Sequence, residues 1–233
     1  MSGQIDDPEF QARRARAREQ IDRLVGAQDC DADERRTWFE HVYDLAEGDP
    51  AAVPWADLAP KPALLDFLAS HPGEGRRALD VACGLGDNAE ALASAGYRTT
   101  AFDLAEGAIA WARRRFSETT VDYRVADLFD PPADWSGAFD LVHEYYTIQA
   151  LQGDLRRDAF AAMARFVAPG GTLLAVTRSR TPDQPVTGPP WPLTLEELAG
   201  FEAAGLRPGP FRHFAVEQPD RTIPHIEAVF YRQ

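Results

Sequence analysis

Residues 78–86, Ala-Leu-Asp-Val-Ala-Cys-Gly-Leu-Gly, run from an apolar strand pattern into a tight glycine loop. A helical pattern, Asn88 to Ala95, follows and stops at Gly96. Glycines in such a loop let backbone approach a ligand closely. Asp103 closes the next apolar run, seventeen positions after Gly86. A carboxylate at that strand end is placed to accept from two ribose hydroxyls. Asp127, in Val-Ala-Asp-Leu, ends the third run, where a carboxylate can read an adenine amino group. One such acid is commonly a loop cap or a solvated group; three in succession at strand ends mark a binding edge.

Two kinds of ligand suit this loop. Gly84-Leu-Gly86-Asp-Asn-Ala89 satisfies the looser dinucleotide fingerprint. A pyrophosphate, however, wants a helix N-terminus clear of negative charge. Here Asp87 occupies the first turn and Asp80 sits in the strand before the loop, an arrangement that favours a cationic sulfonium carrying an ammonium group. A dehydrogenase Tyr-x-x-x-Lys pair is also missing, since Tyr145 and Tyr146 are followed four positions on by Gln149 and Ala150. Lys61 is the only lysine and lies in Ala-Pro-Lys-Pro, outside any phosphate-binding loop. Cys83 reads as a small residue in a tight turn rather than a nucleophile. With Cys30 as the only other cysteine, no disulfide framework is expected and a reducing compartment is. The five histidines lack metal-ligand spacing, and no second histidine follows His143-Glu144, so no metal is expected.

Charge and length narrow the function classes. The 233 residues carry 24 Lys plus Arg against 37 Asp plus Glu, a formal net charge of −13. That field repels phosphate backbones and anionic lipid and mildly favours cationic small molecules, so neither nucleic acid nor membrane is an expected partner. No apolar stretch approaches the roughly 20 residues of a bilayer span, and the polar start is unlike a secretory signal, which predicts a cytoplasmic location.

The elements that must position these residues divide at His71-Pro72-Gly73-Glu74-Gly75. Before it lie three helical patterns: Phe10, Ala17, Ile21, Leu24 and Val25 after Pro8; Trp38, Phe39, Val42, Tyr43 and Ala46, with Asp31 and Glu34 as a capping pair; and a short third helix around Leu64, Leu65, Phe67 and Leu68. A Pro-rich connector, 53–62, links the last two. Residues 1–75 are therefore expected to form a helical cap and 76–233 the ligand-binding domain. From residue 76, short apolar runs at 78–82, 99–104, 121–126, 139–144 and 172–177 read as buried parallel strands. Helical patterns at 88–95, 106–115 and 154–168 separate them, the last closed by Pro169-Gly170-Gly171. Alternation of this kind predicts an α/β doubly wound sheet. A Pro/Gly-rich loop spans 180–192, a helix capped by Thr194 and Glu197 follows, and 211–217 with 226–231 suggest an antiparallel hairpin.

With its strand-one acid, Cys-Gly-Leu-Gly, Asp103, Asp127-Leu128 and Phe139-Asp140-Leu-Val, the chain resembles the class I S-adenosylmethionine (SAM) methyltransferases. The resemblance implies SAM as cofactor and a Rossmann-like seven-stranded sheet, six strands parallel and one C-terminal strand antiparallel. It further implies that Asp80, Ala82, Cys83, Gly84 and Gly86 surround the methionine part, Asp103 and Leu104 the ribose, and Asp127 and Leu128 the adenine. His143 falls at the end of strand four, beside the donor methyl.

Three further segments are similar to the thiopurine and halide/thiol methyltransferase branch. They are Trp38 through Pro54-Trp55 to Leu64, Phe139-Asp-Leu-Val-His-Glu-Tyr145, and Gly188-Pro-Pro-Trp191. Ala56 stands where that branch carries an acid, and Tyr145 stands where thiopurine enzymes carry arginine, which argues against a thiopurine-like acceptor. The resemblance implies a small-molecule acceptor, a thiol in the first instance, in natural-product or detoxification metabolism. A hydroxyl or amine acceptor is the alternative, and a SAM-binding module without catalysis is the second. His143 or Glu144 could serve as base, or His143 could only shape the pocket; Tyr145 could orient the acceptor, with Tyr146 in the core. Trp55 is assigned to a lid over the cofactor, and Trp38 either lines that pocket or packs on the sheet. Arg178 and Arg180 either hold an anionic substrate group or are solvated.

Overall fold

A computed structural model of the chain describes residues 7–21, 32–186, 188–218 and 221–233. Leu24, Val25, Cys30 and Asp31 lie outside these. The helices α1 (Pro8–Ile21), α2 (Ala32–Ala46) and α3 (Pro62–Ser70) precede the sheet. Then come β1 (Arg77–Val81), α4 (Asp87–Ser94), β2 (Arg98–Asp103), α5 (Glu106–Arg115), β3 (Asp122–Val125), β4 (Phe139–Tyr145), α6 (Gly153–Phe166) and β5 (Val167–Arg178). A single turn of helix, α7 (Gly200–Ala203), leads into β6 (Arg207–Gln218) and β7 (Arg221–Tyr231).

The seven strands lie in the order β3-β2-β1-β4-β5-β7-β6. Strands β1 to β5 pair in parallel, while β7 runs antiparallel to both β5 and β6. The expected sheet of six like-directed strands and one opposed C-terminal strand is thus present, with N-terminal helices. Side chains alternate between its faces. Leu79, Val81, Val142, Leu173 and Ala175 pack with Phe160, Met163 and Phe166 of α6 and Phe201 of α7. Ala78, Leu141, Leu174 and Val176 pack on the other face with Leu64, Phe67 and Leu68 of α3 and Leu92 of α4. Full burial of each such aliphatic or aromatic side chain contributes about 1.5–3 kcal/mol. Helix α3, expected in the cap, is therefore part of the layer that covers the sheet. The break at 71–75 is pinned as well: Gly73 N–H donates to Ala95 O (2.7 Å) and Gly75 N–H to Gly96 O (2.8 Å).

Two boundaries differ from expectation. Helix α6 stops at Phe166, not Ala168, and Val167 already pairs with Phe139 of β4. Pro169 disfavours helical geometry at the residue before it, so the stop acts upstream of the Pro-Gly-Gly run, which lies inside an irregular β5. The terminal hairpin is longer than its apolar runs, since β6 and β7 continue through Pro208, Pro210 and Pro224. Thr194 and Glu197 do form a reciprocal cap, Thr194 N–H to Glu197 Oε2 at 2.7 Å and Glu197 N–H to Thr194 Oγ1 at 3.2 Å.

Gly86 sits at φ +91°, and a Cβ there would fall inside contact distance of the Tyr123 hydroxyl. That hydroxyl donates to Glu90 Oε1 at 2.8 Å, so it is not free to move aside. Gly86→Ala is expected to destabilise by about 2 kcal/mol or more. In a double-mutant cycle followed by denaturant melts, Tyr123→Phe should offset part of that loss.

Glu144 is fully buried at the end of β4 and accepts from the N–H groups of Thr147 (2.9 Å) and Ile148 (3.3 Å). Burial pushes its carboxyl up to about 8, against those donors. The unfolded chain releases this proton near pH 4.5, so stability falls as pH rises from there through about 8. Thermal melts of Glu144→Gln should match wild type near pH 5 and exceed it above pH 8.

Candidate functional site

In an open α/β sheet, ligands bind at the C-terminal strand edge where strand order reverses. Here that point lies between β1 and β4. After Val81 the chain turns sharply through Ala82 (φ +51°), Gly84 (φ +54°) and Gly86 (φ +91°). Asp103 staples this loop to the end of β2. Its Oδ2 accepts from Gly84 N–H at 2.9 Å and its Oδ1 from Ala105 N–H at 3.0 Å. Each oxygen keeps a second lone pair for a ligand. Burial raises the Asp103 carboxyl to about 6, although both backbone donors favour the charged form. Burial and Asp103 also push the Cys83 thiol up, which leaves it a poor nucleophile.

The register of β1 and β4 sets Asp80 opposite His143. Both side chains are buried, and His143 Nδ1 lies 2.7 Å from Asp80 Oδ1. With a carboxylate oxygen as its partner, Nδ1 carries the hydrogen and donates. Asp80 Oδ2 and His143 Nε2 have no hydrogen-bond partner among the described residues, although both are buried. Tyr145 follows on the same face, with its ring centre 6.1 Å from that of His143. Glu144 points to the opposite face, where it caps the turn already described. The structure therefore brings Asp80, His143 and Tyr145 together and separates Glu144 from them.

Helix α2 and the connector after it roof the glycine loop. Trp55 Nε1–H donates to the Tyr43 hydroxyl at 3.1 Å, and both side chains lie against Gly84. Trp38 packs near Trp55, ring centres 6.5 Å apart, with its own buried Nε1–H unpartnered. Glu40 accepts from the N–H groups of Glu106 and Gly107, the first turn of α5. Arg35, buried, stands 3.7 Å from Asp127 and lies over the Phe129 ring. Asp127 Oδ1 also accepts from Phe129 N–H at 2.9 Å. Leu104 is half-buried after Asp103, whereas Leu128 is buried in the core cluster beneath the sheet. Asp87 differs from its sequence reading: Arg115 holds it bidentately at 2.6 and 2.7 Å. Its charge is neutralised, so the negative character at the loop comes from Asp80 and Asp103.

Beyond Tyr145, the Tyr146 backbone takes φ +74° and its hydroxyl lies 2.5 Å from His225 Nε2. His225 Nδ1 lies 2.8 Å from Ile223 O, which fixes its hydrogen on Nδ1 and makes Nε2 the acceptor from Tyr146. Burial, with Arg178 and Lys61 nearby, lowers His225 to about 4. Tyr146 is thus a hydrogen-bonded residue at the strand tips, not a core residue. Trp191 is buried, its N–H donating to Gln149 O at 2.7 Å, which ties the loop after β5 to the turn after β4. The sequence reading missed Arg35, Glu40 and Phe129. The two charged residues sit among polar neighbours on α2 and read as a solvated helix face.

The unpartnered Asp80 oxygen, the spare acceptor capacity of Asp103 and the close-approach loop fit a ligand bearing a cation and a ribose diol. Comparison with known proteins agrees. Residues 78–171 match the family model described as a methyltransferase domain. The ubiquinone biosynthesis O-methyltransferase of Xanthomonas campestris pv. campestris (strain B100) is 38% identical over 124 residues, 52% of this chain and 51% of that protein. Its namesake from Aromatoleum aromaticum is 34% identical over 122 residues, 51% of each chain. The match thus spans about half the length of these curated relatives. Among solved structures, one concerns conversion of a disulfide bond into a thioacetal group during echinomycin biosynthesis. It shares the fold with a TM-score of 0.69, 23% identity, and coverage of 84% of this chain and 90% of that one. The Burkholderia thailandensis 1,6-didemethyltoxoflavin-N1-methyltransferase, solved with S-adenosylhomocysteine bound, gives 0.66, 19%, 90% and 93%. Residues 78–171 thus carry a methyltransferase domain on a class I fold, and SAM is the cofactor that such a domain implies.

Proposed function

We propose that the protein transfers a methyl group from SAM to a hydroxyl oxygen of a small organic acceptor. The observation that carries this reading is the buried Asp80–His143 pair, whose Nε2 has no protein partner. A thiol, with a free pKa of about 8.5, already ionises in part near neutrality and asks little of a base. A phenolic hydroxyl, near 10, gains from a histidine within reach. The names of the curated relatives favour the same alternative over the thiol acceptor that the Trp55, Tyr145 and Gly188-Pro-Pro-Trp191 segments suggested.

In this reading Asp80, Ala82, Cys83, Gly84 and Gly86 hold the methionine part of the cofactor, Asp103 and Leu104 the ribose. Asp127 and Phe129 take the adenine end, with Leu128 supporting from the core. Trp38, Tyr43 and Trp55 exclude water from the glycine loop. When bound, SAM supplies a methyl group on a positively charged sulfur. Asp80 orients His143 by accepting from Nδ1–H, which leaves the Nε2 lone pair for the acceptor proton. With the methyl group passing to the acceptor oxygen and the carbon–sulfur electron pair kept by sulfur, His143 Nε2 would take the hydroxyl proton. Asp80 then holds the imidazolium until that proton leaves. Tyr145 orients the acceptor beside His143.

Incubation with labelled SAM and, in turn, catechol, 4-methylphenol, benzenethiol and aniline tests the acceptor. Transfer to the phenols is expected, and His143→Ala should reduce it about 10²–10⁴-fold while SAM affinity stays within about threefold. Methylation of benzenethiol alone would overturn the hydroxyl assignment. SAM affinity should also weaken as pH falls through about 6, by about tenfold at pH 5, because the Asp103 carboxylate protonates there. Calorimetric titrations of wild type and Asp103→Asn across pH 5–8 check this; the variant should bind weakly with a flat profile.

A further inference from the structure

The tips of β4, β5 and β7 carry a cluster of cations unusual for a chain of net charge −13. Lys61, the only lysine, places its ammonium 5.0 Å from the ring centre of Tyr145 and 5.1 Å from that of Tyr146. The Arg178 guanidinium lies 5.7 Å from the Tyr146 ring, and Arg178 is paired in register with His225. Its Nε is buried without a hydrogen-bond partner, and it makes no ion pair among the described residues. Helix α1 brings two more. Arg14 is buried and pairs with Asp57 at 3.3 Å, while the half-buried Arg18 has no ion pair among the described residues. Burial lowers Arg18 below its ordinary value, and the nearby cations Arg14 and Arg178 add to that.

The neutralisation is incomplete. Arg14 and Lys61 share the single Asp57 carboxylate. Burial opposes the charge on Asp57, but the two cations outweigh burial and hold its pKa below the usual value. Among the described residues, Lys61, Arg178, Arg14 and Arg18 thus converge around Asp57. Holding like charges together in partly dry surroundings is unfavourable unless an anion joins them. Among the described residues the groups in contact supply none, since Tyr145 and Tyr146 are phenols and His225 is neutral.

The row continues directly from the reaction centre. His143 leads to Tyr145, Tyr145 packs against Tyr146 with ring centres 4.3 Å apart and planes inclined at 56°, and Tyr146 reaches His225 and Arg178. We propose that this cluster is the acceptor's anion subsite: the molecule methylated beside His143 is a hydroxy-aromatic carboxylate, its ring against Tyr145 and Tyr146 and its carboxylate held by Arg178, Lys61 and Arg18. The planar guanidinium fork of Arg178 matches a carboxylate bidentately, and the two tyrosine rings offer faces to an aromatic body. This inference rests on the methyl-transfer reading and adds the charge and class of the acceptor to it.

The test crosses acceptor atom with acceptor charge. Binding of 3,4-dihydroxybenzoate, 3,4-dihydroxybenzamide, 2-sulfanylbenzoate and 2-sulfanylbenzamide is measured by calorimetry with S-adenosylhomocysteine present, and methyl transfer to each is followed with labelled SAM. Each carboxylate should bind at least about tenfold more tightly than its amide, and the preference should shrink several-fold in about 0.5 M KCl. Arg178→Met and Lys61→Met should each remove most of that preference while amide and S-adenosylhomocysteine affinities stay within about threefold. Arg178→Lys should restore part of it. Equal binding of acid and amide by the wild type overturns the subsite, as does equal weakening of both by the variants. Should a variant lose S-adenosylhomocysteine binding altogether, the wild-type comparison across salt still decides. If only the sulfanyl pair is methylated while the carboxylate preference persists, the subsite stands and the hydroxyl assignment falls.

Discussion

A carboxylate and an imidazole buried together at the middle of a parallel sheet set the terms for everything around them. Either group alone at that depth would cost several kcal/mol; paired, each satisfies half of the other. The pair exists because β1 and β4 are adjacent and because their register sets Asp80 opposite His143. Adjacency of these two strands in turn requires the chain to cross over after β3, which opens the crevice where the glycine loop meets the end of β2. One atom on each partner has no hydrogen-bond partner among the described residues, and both residues stand next to the C-terminal ends of their strands. The pairing therefore fixes the geometry and leaves the chemistry unfinished in the same place.

Along that edge the charges are sorted. Asp80 and Asp103 lie at and beside the glycine loop, and Lys61 and Arg178 lie beyond Tyr145. A net charge of −13 describes neither half well, because the overall balance averages over a strand-tip row that changes sign within a few side chains. Acids towards a sulfonium donor and bases towards a carboxylate acceptor would orient the two reactants before any contact is made.

Much of this was legible in the chain. The apolar runs located β1 to β5 because buried parallel strands need near-continuous hydrophobic sequence, and Gly84, Gly86, Asp103 and Asp127 stood at their ends as loop chemistry demands. What escaped was partnership. Arg115 looks like a solvated end of α5, yet it neutralises Asp87 from 28 residues away. Arg35 and Glu40 look like an exposed face of α2, yet they reach Asp127 and the start of α5. Glu144 and His143 are neighbours in sequence and lie on opposite faces of the sheet, because strand period separates adjacent side chains. The prolines of β6 and β7 masked the length of the hairpin, since proline ordinarily argues against a strand interior.

The roof has a consequence for how tightly the cofactor can be held. Four of its side chains contact the loop and the neighbouring strand ends: Arg35 on the Asp127 carboxylate, Glu40 on the first turn of α5, and Trp55 with Tyr43 on Gly84. If a ligand takes the Asp127 carboxylate from Arg35, binding exchanges an intramolecular for an intermolecular partner, and the dissociation constant then equals the intrinsic one divided by the fraction of molecules in which that contact is open. Affinity would then depend in part on Arg35 of α2, so a change in that helix would alter cofactor retention while the loop beneath it stays unchanged.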